Sequence, residues 1–273
     1  MKKRVISGVL IGVVLTVVLV VGGPLLWATL LAVSVIAYRE VAGAMGLNRD
    51  GKKVTLPDLA VYTGIVTLYL GLLITGSLSW FIIAAMLVVF GLFFVYVLRF
   101  PAIHSREVAA SLFCFLYVPC MLSFIYLLRI QPYGNHFAWI PFNAWICDTS
   151  AFFAGKFFGR HKLAPVLSPK KTVEGAIGGV AGSVLAGFVF SLIMGYILGD
   201  YRTIPFFIVA TALESVITQL GDLVASGIKR DHQIKDFGRI IPGHGGIMDR
   251  FDSVIPAAPF AYLCIIVLWR ILG

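Results

Sequence analysis

Apolar residues collect into nine runs, set apart by short polar segments or by glycine and proline. They are Val5–Val21, Leu25–Met45, Leu59–Ile74, Trp80–Leu98, Val108–Leu128, Phe137–Phe158, Val173–Leu198, Ile204–Ile228 and Val254–Leu272. At about 1.5 Å per residue, a helix of about 20 apolar residues crosses about 30 Å of hydrocarbon. The alternation that would mark the strands of a membrane barrel is absent, so the pattern predicts an all-α fold: a polytopic membrane helical bundle of about nine transmembrane helices. Gly22, Gly23 and Pro24 divide the first two runs, because both residue types interrupt a helix. The opening MKKR precedes an apolar run without a small-residue cleavage site, which predicts an uncleaved first span.

Composition agrees with the pattern. Of 273 residues, 59% are hydrophobic and 13% charged, whereas a soluble domain carries about 25% charged residues. The formal charge of +9 would suggest nucleic acid as the partner of a soluble chain, but the placement of the cations points to a membrane and to no nucleic acid. With nine spans and the amino terminus inside, 19 of the 22 Lys and Arg residues lie at the cytoplasmic side, leaving Arg129, Arg202 and Arg270 outside. Lysine and arginine are retained in cytoplasmic loops. The expectation is therefore an integral multi-pass protein of the plasma (inner) membrane, amino terminus cytoplasmic and carboxyl terminus outside. Cys114, Cys120, Cys147 and Cys264 fall in apolar runs without paired spacing and read as buried small side chains.

Polar chemistry is expected to be confined to the second half. Residues 1–136 read as an amino-terminal hydrophobic region of five spans, and residues 137–273 as a catalytic region of four spans with cytoplasmic loops. Asp148, Glu214 and Asp222 stand inside apolar runs, where ionisable residues are costly and face a bundle interior or a wet cavity. Glu214, Thr218 and Asp222 are spaced to share one helix face. Asp222, seven residues before Lys229, lies about 10 Å below the following loop. In that loop, GHGGIMDRFD brings Gly245 and Gly246 beside His244, Asp249, Arg250 and Asp252. Its glycines would let the backbone approach a ligand, and Asp249 and Asp252 are expected on one face of the helix that becomes the ninth span. His244 either donates to a phosphate oxygen or braces the turn.

A third cluster is SPKKTVEG, Ser168 to Gly175. Ser168 followed by Pro169 reads as a helix start. Lys170 and Lys171 would then sit at the positive end of a helix dipole, an arrangement that an anion such as phosphate would relieve. With Asp148 leading through Gly155 and Lys156 to Arg160 and Lys162, the clusters describe a cavity with acids deep and bases at its mouth. Carboxylate oxygens suit Mg²⁺, which shares phosphate oxygens with a substrate.

These residues resemble the signature of the phosphatidate cytidylyltransferases, also called CDP-diacylglycerol synthases. The match runs through Ser226, Lys229, Arg230, Lys235, Asp236, Gly238, Pro242, His244, Gly245, Gly246, Asp249, Arg250 and Asp252, and the resemblance covers about Trp145 to Asp252. It implies a Mg²⁺-dependent enzyme, with one metal ion or two, that joins CTP and phosphatidic acid into CDP-diacylglycerol and pyrophosphate. On that basis Asp222, Asp249 and Asp148 are expected to bind metal. Lys171, His244 and Asp252 join them in the catalytic set, and Ser168, Lys170, Lys171, Lys229, Arg230, Lys235, Gly245, Gly246 and Arg250 are expected to hold the nucleotide and lipid phosphates. Two other readings are a CTP-dependent lipid kinase and a transporter using the buried carboxylates. The second requires a polar path to both faces, and the polar residues stop about halfway. Gly175, Gly178, Gly179 and Gly182 form a small-residue face for close helix packing, which permits a homodimer without requiring one.

Overall fold

The computed structural model describes residues 2–47, 54–199, 201–241 and 245–272. The chain is an all-α membrane protein. Among the described residues, seven helical stretches are long and apolar enough to cross a membrane: Gly23–Ala44, Leu56–Thr75, Ser79–Leu98, Ser105–Ile130, Val173–Ile197, Ile204–Asp231 and Met248–Trp269. The predicted first and sixth spans are missing from that set. In the first, the apolar helix among the described side chains is the shorter Ile11–Val21. The sixth is broken, as described below.

Contacts divide the chain into two compact units, Met1–Ile130 with Asp231–Phe251, and Gln131–Arg230 with Asp252–Gly273. The first holds α1 (Lys2–Val21), α2 (Gly23–Ala44), α3 (Leu56–Thr75), α4 (Ser79–Leu98), α5 (Ser105–Phe115) and α6 (Met121–Ile130). A π-helical turn at Leu116–Cys120, which contains Pro119, joins α5 to α6. Proline lacks an amide hydrogen, and the wider turn absorbs the missing bond without ending the span. The break between α1 and α2 is sealed by Arg129, whose Nε and Nη2 donate to the carbonyls of Leu19 at 3.0 Å and Val20 at 3.2 Å. Helix α3 begins in a capping box formed by Thr55 and Asp58. Asp58 also accepts the buried Tyr38 hydroxyl at 2.8 Å, so an acid inside the hydrophobic half is fully engaged.

The second unit begins with α7 (Gly134–Phe137) and a 3-10 turn at Ile140–Phe142, followed by α8 (Asn143–Phe158). Pro141 sits in that turn and restricts the residue before it, so the helix predicted from Phe137 starts only at Asn143. Its 16 residues extend about 24 Å. After α8 come β1 (Lys162–Ala164) and β2 (Ser168–Thr172), an antiparallel hairpin pairing Lys162 with Thr172 and Ala164 with Ser168. Helices α9 (Val173–Leu198) and α10 (Ile204–Asp231) follow.

The glycine face of α9 packs on α8: a side chain at Gly178 would strike Ala154, and one at Gly182 would strike Ser150. Without side chains between them, the backbones approach closely enough for dispersion contacts to hold the pair where lipid offers no hydrophobic drive. The chain closes with α11 (Met248–Phe251), assigned to the first unit, and α12 (Val254–Leu272), assigned to the second.

Candidate functional site

In the second unit three aspartates and two lysines are drawn together by α8, β2, α10 and the start of α12. Lys171 Nζ lies 2.5 Å from Asp222 Oδ2, with the two side chains 24% and 27% exposed and the ammonium nitrogen itself buried. Lys229 Nζ is 3.8 Å from Asp252 Oδ2. Asp148 Oδ2 accepts the Ser253 hydroxyl at 2.8 Å, which ties the middle of α8 to the residue just before α12. Beside Asp222, a side chain at Gly221 would collide with Pro256 and come within 3.0 Å of the Asp252 carbonyl. Glycine there lets α10 meet the start of α12, and that contact brings Asp222 and Asp252 to one end of the unit. The cluster carries three acids against two bases, a nearly balanced set that a phosphate-bearing ligand and its cation can enter by exchanging partners.

Two expectations change here. Ser168–Thr172 is a strand rather than a helix start, because Thr172 caps α9 through its side chain, which accepts from Gly175 N at 3.1 Å. Successive strand residues face opposite ways, so Lys170 is exposed while Lys171 turns inward to Asp222. Ser168 is half-buried at the other end of the strand. The dipole argument for two lysines at a helix amino terminus therefore fails, and the ion pair supplies the reason for Lys171. Asp249 and Asp252 do not share a helix face either: α11 ends at Phe251, and Asp252 and Ser253 form the turn before α12. Asp252 Oδ1 accepts the Ser253 amide at 3.0 Å, a local bond that competes with helix continuation.

Glu214 sits about 12 Å along α10 from Asp222, eight residues away. It is fully buried, accepting from Thr218 Oγ1 at 2.9 Å and Asn143 Nδ2 at 3.5 Å. Its partners are structural polar groups, which sets it apart from the accessible cluster.

In the first unit two carboxylates hold the backbone amides of Phe237 and of 246–248. Asp249 Oδ2 accepts the amides of Phe237 and Gly246, each at 2.9 Å. Glu40, buried near the end of α2, accepts the amides of Ile247 at 3.1 Å and Met248 at 2.7 Å. Intramembrane carboxylates are thus not confined to the last four spans, since Glu40 and Asp58 both lie in the amino-terminal helices. A charged residue inside the apolar run Leu25–Met45 was the available signal for Glu40. Gly245 has φ +83, a left-handed conformation natural to glycine. His244 lies outside the described residues. Lys235 and Arg230 are exposed and Arg250 is half-buried; the Arg230 guanidinium donates to the Leu167 carbonyl at 3.5 Å. Ser253, missed by the sequence reading, is the hydroxyl that fixes Asp148.

Among the described residues no three His, Cys, Asp or Glu side chains converge closely enough to hold a metal ion by themselves. The donor set is nevertheless all carboxylate oxygen, the chemistry of Mg²⁺. That ion is usually bound by one or two carboxylates, water and substrate phosphates rather than by an all-protein cage.

A model of the family described as "Cytidylyltransferase family" matches residues 2–268. A phosphatidate cytidylyltransferase of Staphylococcus aureus (strain COL) is 31% identical over 270 residues, covering 97% of this chain and 99% of the relative. Another of Staphylococcus saprophyticus is 40% identical over 146 residues, 53% of this chain and 55% of the relative. One of Staphylococcus haemolyticus is 39% identical over 156 residues, 56% of this chain and 58% of the relative. The higher-identity alignments span little more than half of those relatives, whereas the alignment with the S. aureus protein runs nearly end to end.

Proposed function

Because this chain belongs to the cytidylyltransferase family, we propose that it transfers the cytidylyl group of CTP to phosphatidic acid. The products are CDP-diacylglycerol and pyrophosphate. A phosphate oxygen of the lipid attacks the α-phosphorus of CTP, the bond from that phosphorus to the bridging oxygen of the β-phosphate breaks, and the electron pair leaves with pyrophosphate. No covalent intermediate on the protein is needed, so catalysis rests on positioning and on neutralising phosphate charge. The observation that carries this reading is the pairing of Lys171 with Asp222 and of Lys229 with Asp252 in the second unit, where Ser253, next to Asp252, holds Asp148.

In this scheme Lys171 and Lys229 leave their aspartate partners to meet phosphate oxygens, and Ser253 keeps Asp148 oriented. Asp148 and Asp222 would hold Mg²⁺, which, when bound, offsets charge on the phosphates it contacts. The assignment of Asp249 to the same role carries over on donor chemistry, and the two amides on its Oδ2 fix how that carboxylate is presented. Lys170, Lys235, Arg230 and Arg250 supply the wider field that attracts the anionic substrates.

The proposal includes nine spans, a cytoplasmic amino terminus, an external carboxyl terminus and a site facing the cytoplasm of the inner membrane. The distribution of 19 cations on one side supports it. The direct test incubates purified protein with Mg²⁺, phosphatidic acid and CTP labelled at the α-phosphate. Label in a CDP-lipid with release of pyrophosphate is expected; label remaining in CDP while the lipid gains an unlabelled phosphate would replace cytidylyl transfer with kinase chemistry.

A further inference from the structure

We propose that Glu40, on α2 and far in sequence from every residue assigned above, is a positioning residue for cytidylyl transfer, fixing the backbone of 246–248 that leads into Asp249 and Arg250. The inference rests on the reading of that turn as part of the catalytic machinery, and it goes beyond that reading in naming what holds the turn.

A carboxylate inside an apolar helix is unfavourable unless its oxygens are satisfied. Glu40 meets that requirement with the Ile247 and Met248 amides, both charge-assisted hydrogen bonds. Asp249 does the same for Phe237 and Gly246. Four amides, of Phe237 and of 246–248, are therefore held by two carboxylates, one from α11 and one from a distant helix.

The glycines record the same arrangement. A side chain on Gly238 or Gly246 would run into the Glu40 carboxyl group, and one on Gly245 would come within 2.7 Å of Asp249 Oδ2. The sequence pattern assigns Gly245 and Gly246 to close approach by a ligand. At Gly238 and Gly246 the space is taken by the protein's own acid, so the residue type there answers to Glu40. A turn clamped in this way presents Asp249 and Arg250 in one arrangement without reorganisation during the reaction, which is the property that electrostatic catalysis requires.

The test compares Glu40→Gln, Glu40→Ala, Gly246→Ala and the Glu40→Ala/Gly246→Ala double variant with the parent protein in detergent. Steady-state kinetics are measured with CTP and phosphatidic acid, and amide hydrogen exchange is followed in peptides covering Gly245–Phe251. Misplacement of a catalytic group by about 1 Å can cost about a hundredfold. Glu40→Gln is accordingly expected to lower kcat by about tenfold or more while the KM for CTP changes by less than about threefold, with faster exchange at Ile247 and Met248. Shrinking residue 40 makes room for a methyl group, so the loss in the double variant should be smaller than the product of the single losses.

Unchanged exchange in Glu40→Gln would overturn the proposal, as would multiplicative losses in the double variant. A rise in kcat would overturn it too, showing that Glu40 blocks the turn instead of bracing it. Exchange does not depend on turnover, so a parent protein without cytidylyl transfer would refute the function while the clamp was still judged by its amides.

Discussion

Asp222 and Lys171 show how a single contact assigns a role that residue type leaves open. Paired at 2.5 Å and about one-quarter exposed, each neutralises the other. Removing one partner should therefore do more than delete a charge. Asp222→Asn is expected to reduce kcat by about 10²-fold or more, on the scale of losing a group that acts on transition-state charge, and Lys171→Met should do the same. The double variant should lose far less than the product of the two, a result that steady-state kinetics on the four proteins would check. Glu214 predicts the opposite behaviour. With Thr218 and Asn143 as its partners, Glu214→Gln still accepts from Thr218, donates to Asn143 once that amide turns its oxygen inward, and should retain turnover. Glu214→Leu strands buried polar groups and should cost about 1–3 kcal/mol, read as a lower thermal midpoint in detergent. From sequence alone the two acids looked alike, because both stand in an apolar run with i, i+8 spacing; burial and partners separate them.

The elements that decide the site are short ones at helix ends. The hairpin β1–β2 turns Lys171 inward and Lys170 outward, which a helix starting at Ser168 would not do. Its register ends at Thr172, the cap of α9. Thr172→Ala should lower stability by about 1 kcal/mol, whereas Thr172→Ser should be near neutral; melting of the purified variants distinguishes the two. The same change should weaken catalysis, because the cap sets where the strand stops and hence where Lys171 points. Long apolar helices were legible from their composition: α9 spans the same residues as the predicted seventh run, and α4 differs from its run by one residue. The sixth run was less so. Pro141 shortened it, and propensity does not say whether a proline near a helix start will be absorbed or will reset the boundary.

Over the whole molecule, 231–251 belongs with the amino-terminal helices by contact, although its chemistry reads with the last four spans. Topology belongs to the same scale. A reporter fused after Gly273 is expected outside the cytoplasm, and a cytoplasmic signal there would remove the nine-span arrangement. Sequence by itself determined the membrane class, the positions of most spans and the family, since hydrocarbon solvation and a long polar signature are written residue by residue. Only the tertiary structure decided that Lys171 pairs with Asp222, that Ser253 holds Asp148, and that Glu40 fills the space beside Gly238 and Gly246. Those contacts join residues from 51 to more than 200 positions apart. Side chains that distant meet only after helices pack, and no local periodicity encodes which of several buried acids will face which amide or ammonium group.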